Sequence, residues 1–212
     1  MNQLCSIVSS ITLGSYIFDV TFILRDAMLL NSILVNCETW NYLTKKDIES
    51  LESVDTSFMK KCFNAHSKTV REAFFIETGK LPVRYILAKR RFMFWHHILT
   101  RTTDELIFKV YQAQKIKPTR FDWRNMILQE CESFSLEITE DAVPEFSKRK
   151  FKILVEQAVN KKFLENMLAS KKRKLQGILK TIKIDRKTKR ILTQPYLTTH
   201  RLSQAKSRPY SC

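Results

Sequence analysis

The chain has 212 residues, of which 44% are hydrophobic, and this composition is ordinary for a folded protein with one or two domains. Its 37 basic and 21 acidic side chains give a formal net charge of +16, which favours a polyanionic partner, nucleic acid before an anionic membrane surface. Only three glycines are present, so neither common Gly-rich phosphate loop fits, and nucleotide-cradling enzymes are nearly excluded.

Five cysteines lie far apart in the sequence and never form a Cys-x-x-Cys pair, which argues against a disulfide framework and a zinc site. We therefore predict an intracellular location, nucleus or cytoplasm, with no bound metal and no cofactor. Residues 1–18 are uncharged, but they lack a basic start and contain several serines, so a signal peptide is not predicted. A membrane span is not predicted either, because Asp19, Arg25 and Asp26 interrupt the apolar candidate.

Apolar residues three and four positions apart predict helix almost everywhere before the C-terminal end. The expected fold class is all-α, an irregular multi-helix bundle with a basic, partly disordered C-terminal tail. The first helix is predicted over residues 20 to about 40 as largely buried, with a stripe formed by Ile23, Ala27, Leu30, Leu34 and Cys37. Thr44 is the predicted N-cap of a second, amphipathic helix that reaches about residue 63.

The next segment contains the predicted end of one helix and the predicted start of another. Thr69 and Glu72 form a capping-box pattern for a short helix that Gly79 ends in the left-handed conformation. Pro82 then opens a helix that reaches about Leu99 and is apolar on most of its circumference, which predicts a central position.

The central helix also contains three cations, Arg84, Lys89 and Arg91. Their long stems either cover apolar surface at the edge of the core or present the charges to phosphate. We assign them as secondary nucleic-acid contacts, on the condition that this edge of the helix is exposed.

Shorter helices complete the pattern, one around Tyr111 and one, after Lys117-Pro118-Thr119, around Trp123. The helical spacing of apolar residues is absent over residues 134–146, which predicts a boundary or hinge. A helix that Ser147 caps is predicted to follow. Beyond it, only a hairpin of residues 178–184 with residues 190–192 is indicated. The predicted segments are residues 1–65, 66–134, 147–170 and the tail, 171–212.

The positive charge is concentrated in the tail. Residues 1–144 hold 18 basic and 17 acidic residues, residues 145–170 hold 6 and 3, and residues 171–212 hold 13 and 1. Tail cations interleaved with isoleucine and leucine suit phosphate contacts beside a small apolar anchor. A disordered tail that binds any polyanion, or a nuclear-localisation patch, explains the pattern equally well. The assigned nucleic-acid-binding residues of the tail are Lys171, Lys172, Arg173, Lys174, Lys180, Lys183, Arg186, Lys187, Lys189 and Arg190.

The sequence contains no specific catalytic or metal-binding pattern. His96 and His97 are adjacent and therefore point about 100° apart on a helix, unlike the i, i+4 histidine pair of a metal site. No aspartate pair lies between apolar strand residues, where a polymerase or nuclease would hold two metal ions. A Cys–His or Ser–His nucleophile stays open, but no residue favours one. We therefore predict recognition rather than catalysis.

Several short blocks occur in an order typical of one family. They are Asn2-Gln3 through Ser15-Tyr16-Ile17-Phe18, Leu24-Arg25-Asp26-Ala27-Met28-Leu29-Leu30-Asn31-Ser32-Ile33-Leu34, Glu38-Thr39-Trp40, Leu51-Glu52-Ser53-Val54-Asp55, Glu77-Thr78-Gly79 with Pro82-Val83-Arg84-Tyr85-Ile86 and Arg90-Arg91, and Asp122-Trp123. In this order the chain resembles the part of non-LTR (LINE-like) retrotransposon reverse transcriptases that lies C-terminal to the polymerase palm. Val70-Arg71 and Phe74-Phe75 differ from the Pro-Lys and Leu-Tyr types usual in that family.

The resemblance covers residues 1 to about 170 and, more loosely, the rest. It implies that a palm with metal-binding aspartates precedes residue 1 and that residues 1–65 are thumb-like helices that lean on a template–primer duplex. The remainder then corresponds to the helical segment between the thumb and a zinc knuckle.

These observations predict a non-catalytic C-terminal fragment of a retrotransposon RNA-directed DNA polymerase that binds RNA or DNA backbone electrostatically. The alternative is a helical protein-interaction module, or a translated transposon relic with no activity of its own. In the alternative, the missing palm leaves the first helices uncovered, which favours self-association.

Overall fold

The computed structural model describes residues 17–63, 65–66 and 68–170, with only the backbone described for residues 17–19. This part of the chain is helical and contains no strand, which confirms the predicted all-α class. Residues 1–16, the basic tail and the predicted hairpin lie outside the described residues. The helices in chain order are α1 (Ile17–Leu24), α2 (Leu30–Ile33), α3 (Lys45–Cys62), α4 (Arg71–Thr78), α5 (Val83–Leu99), α6 (Leu106–Ile116), α7 (Trp123–Ser133) and α8 (Lys148–Leu168).

Helix α5 is the centre of the fold, as its composition predicts. Helices α3, α6, α7 and α8 all pack against it. Leu87, Phe92 and Trp95 of α5 are buried, and so are residues on the other sides of this helix. A helix that is apolar on most of its circumference can bury that surface only when neighbours surround it.

An aromatic core fills the space between α5, α6, α7 and α8. Trp95 is fully buried, packs edge-on against Phe151 of α8, and donates its Nε1–H to the Tyr111 hydroxyl at 2.9 Å. That hydroxyl in turn donates to Glu140, and Arg124 Nε lies 2.8 Å from the same carboxylate. The core is therefore apolar at its centre, and a series of hydrogen bonds connects Trp95 through Tyr111 to Glu140 at its edge.

The connection between α7 and α8 contributes to this core. Leu136 and Val143 are buried in it, and the Leu136 N–H donates to the Cys131 carbonyl at 2.9 Å. Residues 134–146, predicted as a boundary or hinge, are thus anchored at two points by apolar contacts.

Residues 17–63 are attached to the rest by buried ions and by a small apolar cluster. The Arg25 guanidinium donates to both oxygens of Asp55 at 2.7 Å, and its Nη2 also donates to the Leu81 carbonyl at 2.9 Å. The apolar clusters of this region are small. One is built on Phe22, Leu29, Phe58 and Met59, and the other joins Leu30, Leu34 and Cys37 to Val83 and Leu87 of α5. A buried arginine and aspartate thus form the joint between α3 and the turn that precedes α5.

The buried face of the first helix differs from the predicted stripe. Leu30, Leu34 and Cys37 are buried as expected, but Ile23 is 64% exposed and Ala27 is exposed. In α1 and the π-helical turn Arg25–Leu29, the buried residues are Thr21, Phe22, Arg25 and Leu29. Because Asp55 pairs with Arg25, the face of the helix that carries the arginine is buried. The sequence pattern places this face toward solvent, where an unpaired arginine would lie.

The helix ends test the predicted caps. Thr44 caps α3 in a capping box with Asp47, Ser147 accepts from the Lys150 N–H in α8, and Gly79 ends α4 with φ of 65°, so these three predictions are confirmed. The capping box predicted at Thr69 is wrong. Helix α4 begins at Arg71 after Val70, and the Thr69 N–H donates to the His66 carbonyl, which places it in the preceding turn.

Candidate nucleic-acid interface

Arg84 forms a two-pronged ion pair across the α3–α5 contact. Its Nε and Nη2 donate to the two oxygens of Glu52 at 2.6 and 2.8 Å, and Arg71 Nη1 lies 3.0 Å from the same carboxylate. Glu52 is almost fully buried, whereas Arg84 is partly exposed. The hydrogen bond with Glu52 raises the pKa of Arg84 above its ordinary value. Arg84 therefore neutralises a buried carboxylate in the described structure.

Lys89 and Arg91 also meet carboxylates. Lys89 Nζ lies 2.6 Å from Glu156 of α8. Arg91 is only 5% exposed, and its Nη1 lies 3.4 Å from Glu130 while its Nη2 donates to the Trp40 carbonyl at 2.9 Å. The structure places Arg84 and Arg91 on one side of α5 and Lys89 on the opposite side, and phosphate contact by these residues stays a prediction. The assigned tail residues lie outside the described residues.

A cleft of about 920 Å³ lies on the Lys89 side of α5, and we name it the cationic cleft. Ile86, Met93 and Phe94 form its apolar floor, while Arg90, Lys148 and Lys89 line it together with one acidic residue, Glu38. Arg90 was not assigned from the sequence, and it donates to the Leu34 carbonyl at 3.0 Å and to Asn31 at 2.8 Å. A cationic edge around an apolar floor is suited to a polyanion that also has flat apolar groups.

The start of α8 extends this positive surface. Lys148, Arg149, Lys150 and Lys152, which we name the α8 basic cluster, are exposed, and none forms an ion pair with a carboxylate among the described residues. These four cations are not among the binding residues assigned from the sequence. Their clustering directly after the Ser147 cap is the signal that could have identified them.

His96 and Cys131 are held in the packed core. His96 is buried, with Nε2 2.9 Å from the Phe146 carbonyl, and its ring packs on Phe151. Burial raises the pKa of the Cys131 thiol to about 12, so it stays protonated near neutral pH. Cys37 and Cys62 are also free thiols. In residues 20–63, 65–66 and 68–170, no three His, Cys, Asp or Glu side chains are grouped as metal ligands would be.

The helices of the described region are too short or too polar for any of them to cross a membrane. Comparison of the chain with protein-family models, with curated proteins and with solved structures finds no match.

Proposed function

We propose that this chain is a non-catalytic, nucleic-acid-binding helical region of the type that follows the palm in non-LTR retrotransposon RNA-directed DNA polymerases, acting in the nucleus or cytoplasm. The observation that supports this most directly is the separation of charge. In the helical body, specific carboxylates face Arg84, Lys89 and Arg91. Residues 171–212 hold 13 basic residues and one acidic residue, so their charge has no comparable neutralisation within the tail.

The blocks that carry the resemblance contact one another in the structure. Arg25 of one block pairs with Asp55 of another, and Arg84 pairs with Glu52. Arg91 donates to the carbonyl of Trp40, which belongs to a further block. A shared helical framework is expected to place such joint residues in these blocks, and this supports the proposed relationship to the family.

The α8 basic cluster and the cationic cleft add a second positive surface. The cluster lies on the rim of the cleft, because Lys148 belongs to both. Phosphates of a polyanion that binds the tail could therefore also contact this surface, which gives the body a supporting role in binding.

The test is a salt series with the full chain and charge-neutralised variants, using a structured RNA and a random DNA duplex. The tail variant replaces Lys171, Lys172, Arg173 and Lys174 by Gln. The matched control replaces four exposed, scattered lysines of the body, Lys46, Lys68, Lys109 and Lys117, by Gln. Each lost phosphate contact should reduce the log–log salt slope by about 0.7 on single strands or about 0.9 on duplex.

We expect the tail variant to lose about three units of slope, assuming four phosphate contacts, and the control to lose less than one. Equal slopes for the two variants would contradict binding through the tail. Template-directed nucleotide incorporation above a mock preparation would contradict the non-catalytic assignment.

A second candidate, a helical protein-interaction module, is favoured by exposed apolar residues of the N-terminal helices. Ile23, Met28 and Val35 are all exposed. Light scattering of the full chain with Ile23 and Val35 replaced by Ser tests this candidate. A dimer of the wild type that these substitutions dissociate would support it, and a monomeric wild type would exclude self-association through this surface.

A further inference from the structure

A second cavity, of about 410 Å³, lies on the side of α5 opposite the cationic cleft. Residues of α3, α5, α7 and α8 line it. Its cations are Lys45, Arg84, Arg91 and Lys162, and Glu130 is the one acidic side chain among the lining residues. We name it the Arg91 cavity.

Two buried polar atoms of this cavity have no hydrogen-bond partner. They are Nε of Arg91 and Oε2 of Glu130. The other Arg91 nitrogens are used, since Nη2 donates to the Trp40 carbonyl at 2.9 Å and Nη1 lies 3.4 Å from Glu130 Oε1. An unpaired N–H and an unpaired carboxylate oxygen are both unfavourable in a buried position. The residues that line the cavity thus include one unpaired donor and one unpaired acceptor.

The neighbouring polar groups are already hydrogen-bonded. The Tyr85 hydroxyl accepts from Asn166 Nδ2 at 2.8 Å. Arg84 is held by Glu52, as described above. Neither group therefore competes for the two unpaired atoms.

The cavity also has a net positive lining. Lys162 forms no ion pair with a carboxylate among the described residues. Lys45 has only Glu49 nearby, 3.9 Å away in an exposed pair, which solvent screens strongly. The fitting ligand is therefore an anion that accepts a hydrogen bond from Arg91 and donates one to Glu130.

We propose that the Arg91 cavity binds a ribose phosphate, in which a phosphate oxygen accepts from Arg91 Nε between Lys45 and Lys162, and the 2′-hydroxyl donates to Glu130 Oε2. The volume lies within the range of small-molecule sites, about 300–1,000 Å³. Deoxyribose lacks the donating hydroxyl, so the cavity prefers ribonucleotides over deoxyribonucleotides. The ribose phosphate belongs to a free nucleotide or to an RNA chain, and only the RNA source rests on the proposed function.

The charge state of Glu130 gives an independent observable. Burial raises the pKa of Glu130 above its ordinary value, although Arg91 acts in the opposite direction. A hydroxyl that donates to the carboxylate stabilises its charged form and lowers the pKa. The phosphate is the same in AMP and dAMP, so the Glu130 pKa should be lower with AMP bound than with dAMP bound, measured by NMR of the carboxyl carbon.

The central experiment titrates the full chain with AMP and with dAMP, and it uses two matched double variants. K45Q/K162Q removes two cations that line the cavity, whereas K46Q/K161Q removes the neighbouring lysines that do not line it. All four side chains are at least partly exposed, so both variants should retain the fold. We expect K45Q/K162Q to weaken AMP binding about tenfold or more, and K46Q/K161Q less than about twofold, because only the first pair removes cations that line the cavity.

A third variant, E130Q, tests the hydroxyl contact. It should bring the AMP and dAMP affinities close together, because a neutral amide oxygen is a weaker acceptor than a carboxylate. If E130Q fails to fold, the wild-type preference for AMP over dAMP and the two lysine pairs decide the proposal. The proposal is wrong if AMP does not bind, which is the result expected if ordered water pairs the two atoms. It is also wrong if the wild type binds AMP and dAMP equally, or if the two double lysine variants bind AMP equally.

Matched RNA and DNA oligonucleotides identify the source of the ribose phosphate. A preference for RNA that K45Q/K162Q abolishes supports an RNA chain in the cavity, and AMP binding without that preference supports a free nucleotide. Salt-sensitive binding of RNA and DNA with no AMP binding would refute the cavity proposal and leave the proposed function intact. AMP binding without salt-sensitive binding of RNA or DNA would refute the proposed function and leave the cavity proposal intact.

Discussion

Residues 17–63, the N-terminal region, and residues 71–168, the C-terminal region, are stabilised by different interactions. The N-terminal region is fixed to α5 and the preceding turn by buried ion pairs, with Arg25 on Asp55 and Arg84 on Glu52. A smaller apolar cluster, in which Leu30, Leu34 and Cys37 contact Val83 and Leu87, supplements these ion pairs. The C-terminal region is fixed by a continuous apolar core of aromatic and aliphatic side chains around Trp95. The same central helix therefore serves both kinds of packing.

The difference teaches where each region is sensitive. Apolar burial is non-directional and roughly proportional to area, so the C-terminal region should respond to changes in side-chain volume. A buried ion pair depends on both charges being present, and removing one leaves the other desolvated without a partner. The N-terminal region should therefore respond to single charge changes that preserve volume.

The largest expected effect is the substitution Trp95→Ala in the C-terminal region. It should lower the free energy of unfolding by about 5 kcal/mol, because it opens a cavity in the core and removes the donor to Tyr111. Urea denaturation followed by far-UV circular dichroism measures the loss. Trp95→Phe keeps most of the packing and should cost clearly less. A loss below about 2 kcal/mol for the alanine variant would show that this core is not the main support of the region.

The next effect is Asp55→Asn, which preserves volume but leaves Arg25 buried beside a neutral group. The expected loss is about 3–4 kcal/mol by the same measurement. Asp26→Asn is the matched control, since Asp26 lies 3.1 Å from the same guanidinium but is well exposed, and it should cost less than about 1 kcal/mol.

The double variant Arg25→Met/Asp55→Leu should recover most of the stability lost in Asp55→Asn, because an apolar pair needs no desolvated charge. Equal losses for the Asp26 and Asp55 variants, or no recovery in the double variant, would contradict the role assigned to the buried pair.

The smallest effect concerns acid and the polar edge of the C-terminal core. Burial alone would raise the pKa of Glu140, but hydrogen bonds from Arg124 and Tyr111 outweigh it and hold the pKa below its ordinary value of 4.5. A carboxyl with a lowered folded pKa contributes stability above its unfolded pKa and loses it as the pH falls through the folded value. Thermal unfolding midpoints should therefore drop as the pH falls below about 4.5.

Tyr111→Phe removes one donor to Glu140. It also leaves the buried Trp95 Nε1–H without its acceptor, so it should cost about 1–3 kcal/mol at neutral pH and make the acid-induced drop smaller. Glu137→Gln, at an exposed position, should leave the drop unchanged. An acid profile of Tyr111→Phe identical to that of wild type would contradict the contribution of this hydrogen bond.

Local signals were predictable from the sequence, and contacts between distant residues were not. The caps at Thr44 and Ser147 and the left-handed Gly79 depend on a few adjacent residues, so sequence alone locates them. The buried face of α1 depends on Asp55, thirty residues beyond Arg25, and no local pattern shows that pairing. The all-α class and the central place of α5 follow from periodicity and composition, which are averages over many residues.

The candidate sites divide in the same way. The basic run at the start of α8 is visible in the sequence, but only the structure shows that it borders a cleft. The Arg91 cavity brings together residues of four helices, and Glu130 is 39 positions from Arg91. Side chains such as Arg91 could be recognised as cations from sequence, but whether they face solvent, a carboxylate or a cavity is a tertiary property.

The α8 basic cluster has a further consequence for the energy of the free protein. Lys148, Arg149 and Lys150 lie in the first turn of a 21-residue helix, the end where the helix dipole is positive. Each such cation is unfavourable by about 0.3–1 kcal/mol at low ionic strength, and Lys148 and Lys152, four positions apart on the helix, also repel each other. A polyanion bound at this end would relieve that repulsion, so by linkage it should raise the melting temperature, and neutralising the cluster should stabilise the empty protein while weakening that response.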